Sequence, residues 1–194
     1  MAITTGYGLK PVQLMGAQHF SGGTIREFAV TAGDNTYAFG VGQLITIAAG
    51  VAKVVGAAAP AAGTLSTNTP VGVCVGLRFN DPTLKQQQYS QYLPADSTGY
   101  TNIFVRVVDD PDVLFQTRVD AAITYTSIGK NVNWVYAATN ATTGVAASYV
   151  TGAATTNTFP FRIVDVLSGD GSTYTDIIVK YNWQTHAYHF PTGQ

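Results

Sequence analysis

Few residues in this chain are of a type that could do chemistry. Among 194 residues there are three histidines (His19, His186 and His189), a single cysteine (Cys74), ten aspartates and one glutamate, Glu27. A nucleophilic site needs a base beside the nucleophile. None of the histidines stands in a Gly-x-Ser-x-Gly or zinc-type frame. His186 and His189 would share a ligand on a helix, but in a strand their spacing puts them on opposite faces. They are expected to be surface or interface histidines. Asp109, Asp110 and Asp112 offer carboxylates to Ca²⁺, but the spacing lacks the twelve-residue loop with its closing Glu. A Pro-containing turn with exposed carboxylates is expected there.

A carbohydrate-active or metal-dependent β-sandwich enzyme would need Asp109, Asp112, His186 and His189 to converge in one cleft. The scattered aspartates single out no acid for glycoside cleavage. Gly6-Tyr-Gly8 and Gly40-Val-Gly42 lack the rest of any phosphate-binding pattern and read as turn glycines. Asn140-Ala-Thr142 matches a glycosylation acceptor, which means little without a secretory signal. Tyr89, Tyr92, Tyr100, Tyr174, Tyr181, Trp134 and Trp183 are candidates for a sugar-binding surface, weighed against their usual role as core and interface fillers. No catalytic residue, metal ligand or cofactor site stands out, so the expectation is a protein that is not an enzyme.

Composition narrows the function classes further. Charged residues make up 11% of the chain, against about 25% in an ordinary soluble domain. Ten Lys and Arg against eleven Asp and Glu give a net charge of −1. That excludes the clustered basic footprint of a nucleic-acid-binding protein, and it leaves little repulsion between copies. The apolar stretch from Thr46 to Gly63 contains Lys53 and Pro60 and does not read as a membrane span. The first eight residues lack a basic region and an apolar run, so no signal peptide is expected and folding in a reducing cytoplasm is. Cys74, alone within Val73-Cys74-Val75, reads as a small buried hydrophobe.

The elements that must position these residues are strands. Thr, Val, Tyr, Phe and Ile dominate over the Lys, Glu and Arg of helix surfaces. Apolar alternation predicts strands at 26–31, 36–39, 43–48, 51–55, 71–79, 86–93, 102–108, 113–119, 131–136, 161–167 and 174–183. Ala49-Gly50 predicts a tight hairpin. Residues 71–79 are apolar enough to be a central strand, and 86–93, closed by Pro94, an edge. A short helix competes only at 121–129. Residues 139–158 form a long Ala/Thr/Gly loop with a weak strand at 148–150. The fold class is therefore all-β: an antiparallel β-sandwich or barrel. Residues 1–24 read as an extended N-terminal arm and 25–194 as the body, with a possible subdivision near 56–70. The arm's irregular apolar side chains must find contacts on its own domain or on a neighbour.

Four segments occur in a telling order: Thr69-Pro-Val-Gly-Val-Cys-Val-Gly-Leu-Arg-Phe, Gln88-Tyr-Ser-Gln-Tyr-Leu-Pro, Val107-Val-Asp-Asp-Pro-Asp-Val-Leu-Phe-Gln-Thr, and Thr175-Asp-Ile-Ile-Val-Lys-Tyr-Asn-Trp-Gln-Thr-His. The series resembles a family of virion structural proteins of tailed bacteriophages, over roughly residues 65–190. Gly42-Gln-Leu-Ile-Thr-Ile, followed by Pro70-Val-Gly-Val, is similar to β-rich head-decoration proteins more generally. The resemblance implies a capsid cement or decoration protein on the virion exterior, made in the host bacterial cytoplasm. Its partners would be the major capsid protein and itself, as a homotrimer, with no nucleic acid and no membrane. It carries no catalytic residues. The alternative is another virion component, such as a head-fibre, tail or receptor-binding module. On this reading Tyr7, Leu9, Val12, Leu14 and Phe20 of the arm are the partner-binding side chains. Edge strands would add contacts by pairing with a neighbour.

Overall fold

The computed structural model describes residues 6–16, 18–20, 25–33, 35–56, 69–157, 159–168, 171, 174–182 and 185–189. Trp183 and most of the loop at 56–70 lie outside these residues. The protein is all-β and sandwich-like. The first sheet runs β1 (Lys10–Leu14), β10 (Val113–Arg118), β14 (Asp176–Tyr181), β13 (Phe161–Val166), β11 (Asn131–Val135) and β12 (Tyr149–Ala154). The second runs β2 (Ile25–Ala29), β9 (Thr101–Val108), β6 (Pro70–Asn80), β4 (Leu44–Ala48) and β5 (Val51–Val54), with β7 (Gln87–Ser90) also on β6. A small ribbon pairs β3 (Phe39–Gly40) with β8 (Tyr92–Leu93). All these ladders are antiparallel.

Alternation explains the strands. In β14, Ile177, Val179 and Tyr181 are buried while Ile178 and Lys180 face outward, the period-two signature of a sheet with one face on a core. The β4–β5 hairpin closes on Ala49 and Gly50, with φ of 52° and 79°, the left-handed pair that a two-residue hairpin needs. The first core lies on the inner face of the first sheet, where Val113, Phe115, Trp134, Phe161, Val179 and Tyr181 meet Leu44, Val73 and Val108 of the second. A second core, around Ile45, Cys74, Leu77, Val105 and Val107, covers the other face of the second sheet and takes in Phe39 and Leu93 of the ribbon. β6 is buried on both faces, which is why its sequence reads as a nearly continuous apolar run.

Several expectations are corrected. Of the two places open to the arm's contacts, residues 10–14 find theirs on their own domain: they form the edge strand of the first sheet, paired with β10. Leu9 is 1% exposed and belongs to the first core, and Leu14 and Phe20 pack against it. Irregular apolar spacing hid this strand, because its register is set by a bulge between Pro11 and Gln13. The segment 121–129 forms only a 3₁₀ turn, Tyr125–Ser127. The weak strand at 148–150 extends to Ala154, bending at Gly152 with φ of 70°. The turn expected at Asp109–Asp112 joins strands of different sheets. It carries the chain from β9 in one sheet to β10 in the other.

Candidate functional site

Alternation along β9 puts Phe104, Arg106 and Val108 on one face. Val108 is sealed in the first core, but Phe104 is only half-buried. The first sheet therefore covers one end of this face and leaves the other open. At the open end, register places Tyr89 opposite Arg78 and Arg78 opposite Phe104. The Arg78 guanidinium lies 4.0 Å from the centre of the Phe104 ring, a cation–π stack. Its Nε donates to Glu27 Oε2 at 2.8 Å. Tyr89 is 72% exposed. The result is a row of Tyr, Arg and Phe, the residue types that dominate protein–protein contacts.

Beside that row runs the outer edge of β7. The other edge strands carry features that discourage pairing with a second chain: Lys10 and Pro11 on β1, Lys53 on β5, Arg26 and Glu27 on β2, and the Gly152 bend in β12. β7 reads Gln-Gln-Tyr-Ser, without charge or proline, and has no outer strand partner among the described residues. Gln91, the next residue, lines a cleft of about 500 Å³ with Tyr7, Leu9, Pro11, Gln116 and Asp176.

Of the five predicted docking residues, only Tyr7 and Leu9 line this cleft. The Arg118 guanidinium lies 5.3 Å from the Tyr7 ring centre, and its Nε donates to Asp176 Oδ1 at 3.0 Å. Burial, followed by the charge on Asp176, pushes the Tyr7 hydroxyl pKa upward. Val12 is half-buried. Because Leu9 is in the core and Leu14 and Phe20 pack against it, their apolar surface is satisfied within this chain.

The four residues that an enzyme would need in one cleft do not all gather there, although the His186 and His189 rings lie 5.7 Å apart. Asp109 is buried, where an exposed carboxylate was expected. It accepts from the Tyr188 hydroxyl at 2.6 Å and pairs with Arg26 at 3.0 Å. Burial, with the hydrogen bond to Asp109, raises the Tyr188 pKa to about 12. His186 is fully buried rather than on the surface, against Tyr181 at 4.7 Å and Tyr188 at 5.1 Å. Its Nδ1 accepts from the Tyr188 backbone N–H at 3.2 Å. Burial, followed by the neighbouring His189, lowers its pKa to about 4, so the ring is neutral at neutral pH. Asp112 and His189 instead line a small separate cavity. Among the described residues no three His, Cys, Asp or Glu side chains gather as a metal would require, and no helix is long and apolar enough to cross a membrane.

Of the aromatic sugar-surface candidates, Trp134 and Tyr181 are core, and Tyr89 is the most exposed of those described. Sequence reasoning missed the partners that register supplies: Arg78 for Tyr89, Phe104 for Arg78, and Lys180 for Arg162. The outward positions were visible in the alternation, but the cross-strand neighbours were not. Comparison with protein-family models, curated proteins and solved structures finds no match to this chain.

Proposed function

We propose that the chain is a structural protein of a tailed-phage virion, of the cement or decoration type. It attaches to the outer surface of an icosahedral capsid, bridges neighbouring capsomers through the major capsid protein, and associates with itself, with a trimer as the leading form. The observation that carries this reading is the end of the second sheet that the first sheet leaves uncovered among the described residues, where Tyr89, Arg78 and Phe104 stand in a row beside the charge-free edge of β7. One of the segments with the phage-protein resemblance, Gln88 to Pro94, begins in that strand. Low overall charge lets many copies sit close together. Each contact made only in the assembled shell adds to the free energy needed to open it.

The test is sedimentation of the chain with purified capsid shells that lack it, beside light scattering of the chain alone. Wild type should pellet with the shells and raise the temperature at which they open. Tyr89→Lys, which puts a charge on the exposed edge without touching a core, should lose at least tenfold in shell affinity. Equal pelleting of the two proteins would overturn the assignment of this surface.

A receptor-binding module is the second reading. It is favoured by a pocket of about 110 Å³ in which Tyr149 and Tyr174 stand beside Arg118 and Asp120, the aromatic and polar mixture that suits a sugar. Tyr174 holds a left-handed backbone, with φ of 67°, a strain that tends to collect at ligand sites. Saturable binding of a host-surface glycan, lost in Tyr174→Ala, would favour this reading over the first.

A further inference from the structure

On the outer face of the first sheet, Arg162 of β13 and Lys180 of β14 are directly opposite in register. Like charges at such a position repel and destabilise a sheet. No carboxylate separates them: Lys180 has no ion pair among the described residues, and the guanidinium of Arg162 is held by neutral amides. Its Nε donates to Asn131 Oδ1 at 3.2 Å and its Nη2 to Asn182 Oδ1 at 3.4 Å.

Those amides are themselves fixed. Asn131 and Asn182 are both buried. The Asn131 Nδ2 donates to the Thr156 carbonyl at 2.7 Å and the Asn182 Nδ2 to the Phe159 carbonyl at 3.2 Å. With both NH₂ groups committed to backbone carbonyls, both Oδ1 atoms are turned toward Arg162. The guanidinium is thus oriented by two buried side chains, with N–H groups left to donate. Arg162 and Lys180 line a cavity of about 130 Å³ together with Asn182, His189, Pro111 and Asp112. Two basic side chains face one carboxylate across it, and Asp112 makes no ion pair with either.

We propose that this cavity is an oxyanion site, in which a phosphate or carboxylate group bridges Arg162 and Lys180. A planar guanidinium held in place donates two parallel hydrogen bonds to such a group, and the ammonium supplies a second charge. The bound anion also relieves the repulsion between the two strands, so occupancy and sheet stability are linked. Asn131 and Asn182 are positioning residues: they act through the guanidinium. The inference does not depend on whether the chain binds a capsid.

The test is a titration of the ¹⁵N-labelled chain with sodium phosphate, with sodium acetate in a second arm and sodium chloride at matched ionic strength as control. Phosphate or acetate should shift the amide signals of residues 112, 162, 180–182 and 189 saturably, and chloride should not. Saturation by phosphate alone assigns a phosphate group, and saturation by acetate as well assigns a carboxylate such as an acidic side chain. Arg162→Gln and Lys180→Gln should each weaken binding about tenfold, in line with loss of a charge-assisted contact. Asn131→Ala, which keeps every charge, should weaken it severalfold. Shifts of equal size in chloride, or binding unchanged in both charge variants, would overturn the proposal.

Discussion

Gly8 and Gly42 are packed backbone against backbone. A Cβ on Gly8 would come within 2.4 Å of the Gly42 carbonyl oxygen, and that same oxygen accepts the Leu9 N–H at 3.0 Å. Both glycines hold a left-handed backbone, with φ of 74° and 89°. Gly6-Tyr-Gly8 and Gly40-Val-Gly42, which look in the sequence like two unrelated turns, are two halves of one contact. It seats Leu9 in the core and aims the following residues along β10.

Gly8→Ala therefore meets both a steric clash and an unfavourable φ. The left-handed conformation alone costs about 1–2 kcal/mol, and the clash with a backbone atom adds to it. The expected outcome is a lower urea midpoint and new protease cleavage within residues 10–14, with the rest of the body still folded. A variant as stable and as protease-resistant as wild type would show that the N-terminal strand does not depend on this contact.

The link between Asp109 and Tyr188 should be a stability element rather than a catalytic one. Asp109 leaves β9 at the crossover between the sheets, and Tyr188 lies in the 3₁₀ turn Ala187–His189. Removing the hydroxyl in Tyr188→Phe deprives a buried carboxylate of a short donor, which costs about 1.5–3 kcal/mol. Arg26→Gln should cost less, because the Arg26 side chain is 67% exposed and solvent screens its charge. Urea denaturation of the two variants checks the order, and a larger loss for Arg26→Gln would refute it.

His186 makes the fold sensitive to acid in a defined window. Its pKa falls from 6.5 to about 4 on folding, chiefly through burial. Between those values the unfolded chain binds a proton that the folded chain does not, so stability falls as pH drops through the window. Above pH 6.5 the contribution is fully present. By about pH 4 it is lost, and the difference is on the order of 3 kcal/mol. Replacing the ring with an uncharged residue of similar size, His186→Phe, should flatten this part of the stability–pH curve. A curve with the same slope in wild type and variant would remove His186 as the cause.

The strands were legible because alternation and turn residues act locally: β6, β9, β10, β13 and β14 all lie where apolar periodicity puts them. What was not legible depends on pairing across the chain. β1 lacks clean alternation and is a strand only because β10 offers it an edge. Asp109 looks like a surface carboxylate until β2 and the tail bring Arg26 and Tyr188 to it. His186, in a polar tail, gives no local sign of burial, since its aromatic neighbours come from β14 and the turn after it. The row of Tyr89, Arg78 and Phe104 is likewise a product of register.

Cys74 offers a probe of the central strand. It sits in β6, fully buried in the second core, and burial pushes its thiol up to about 12. Thiol–disulfide exchange needs the thiolate, so at pH 8 the folded protein holds only a trace of the reactive form and gives a reagent no path to it. β6 has β9 along one side and β4 and β7 along the other, so exposing Cys74 requires breaking the second sheet. Its labelling by an aromatic disulfide reagent should therefore be slow in native buffer. The rate should rise with urea along the same curve as loss of β-structure measured by circular dichroism. Slow labelling that tracks global unfolding would make β6 part of the last structure to open. Rapid labelling without denaturant would mean that the β4 or β7 side of the sheet opens on its own, and would mark the β7 edge as mobile rather than preformed for docking.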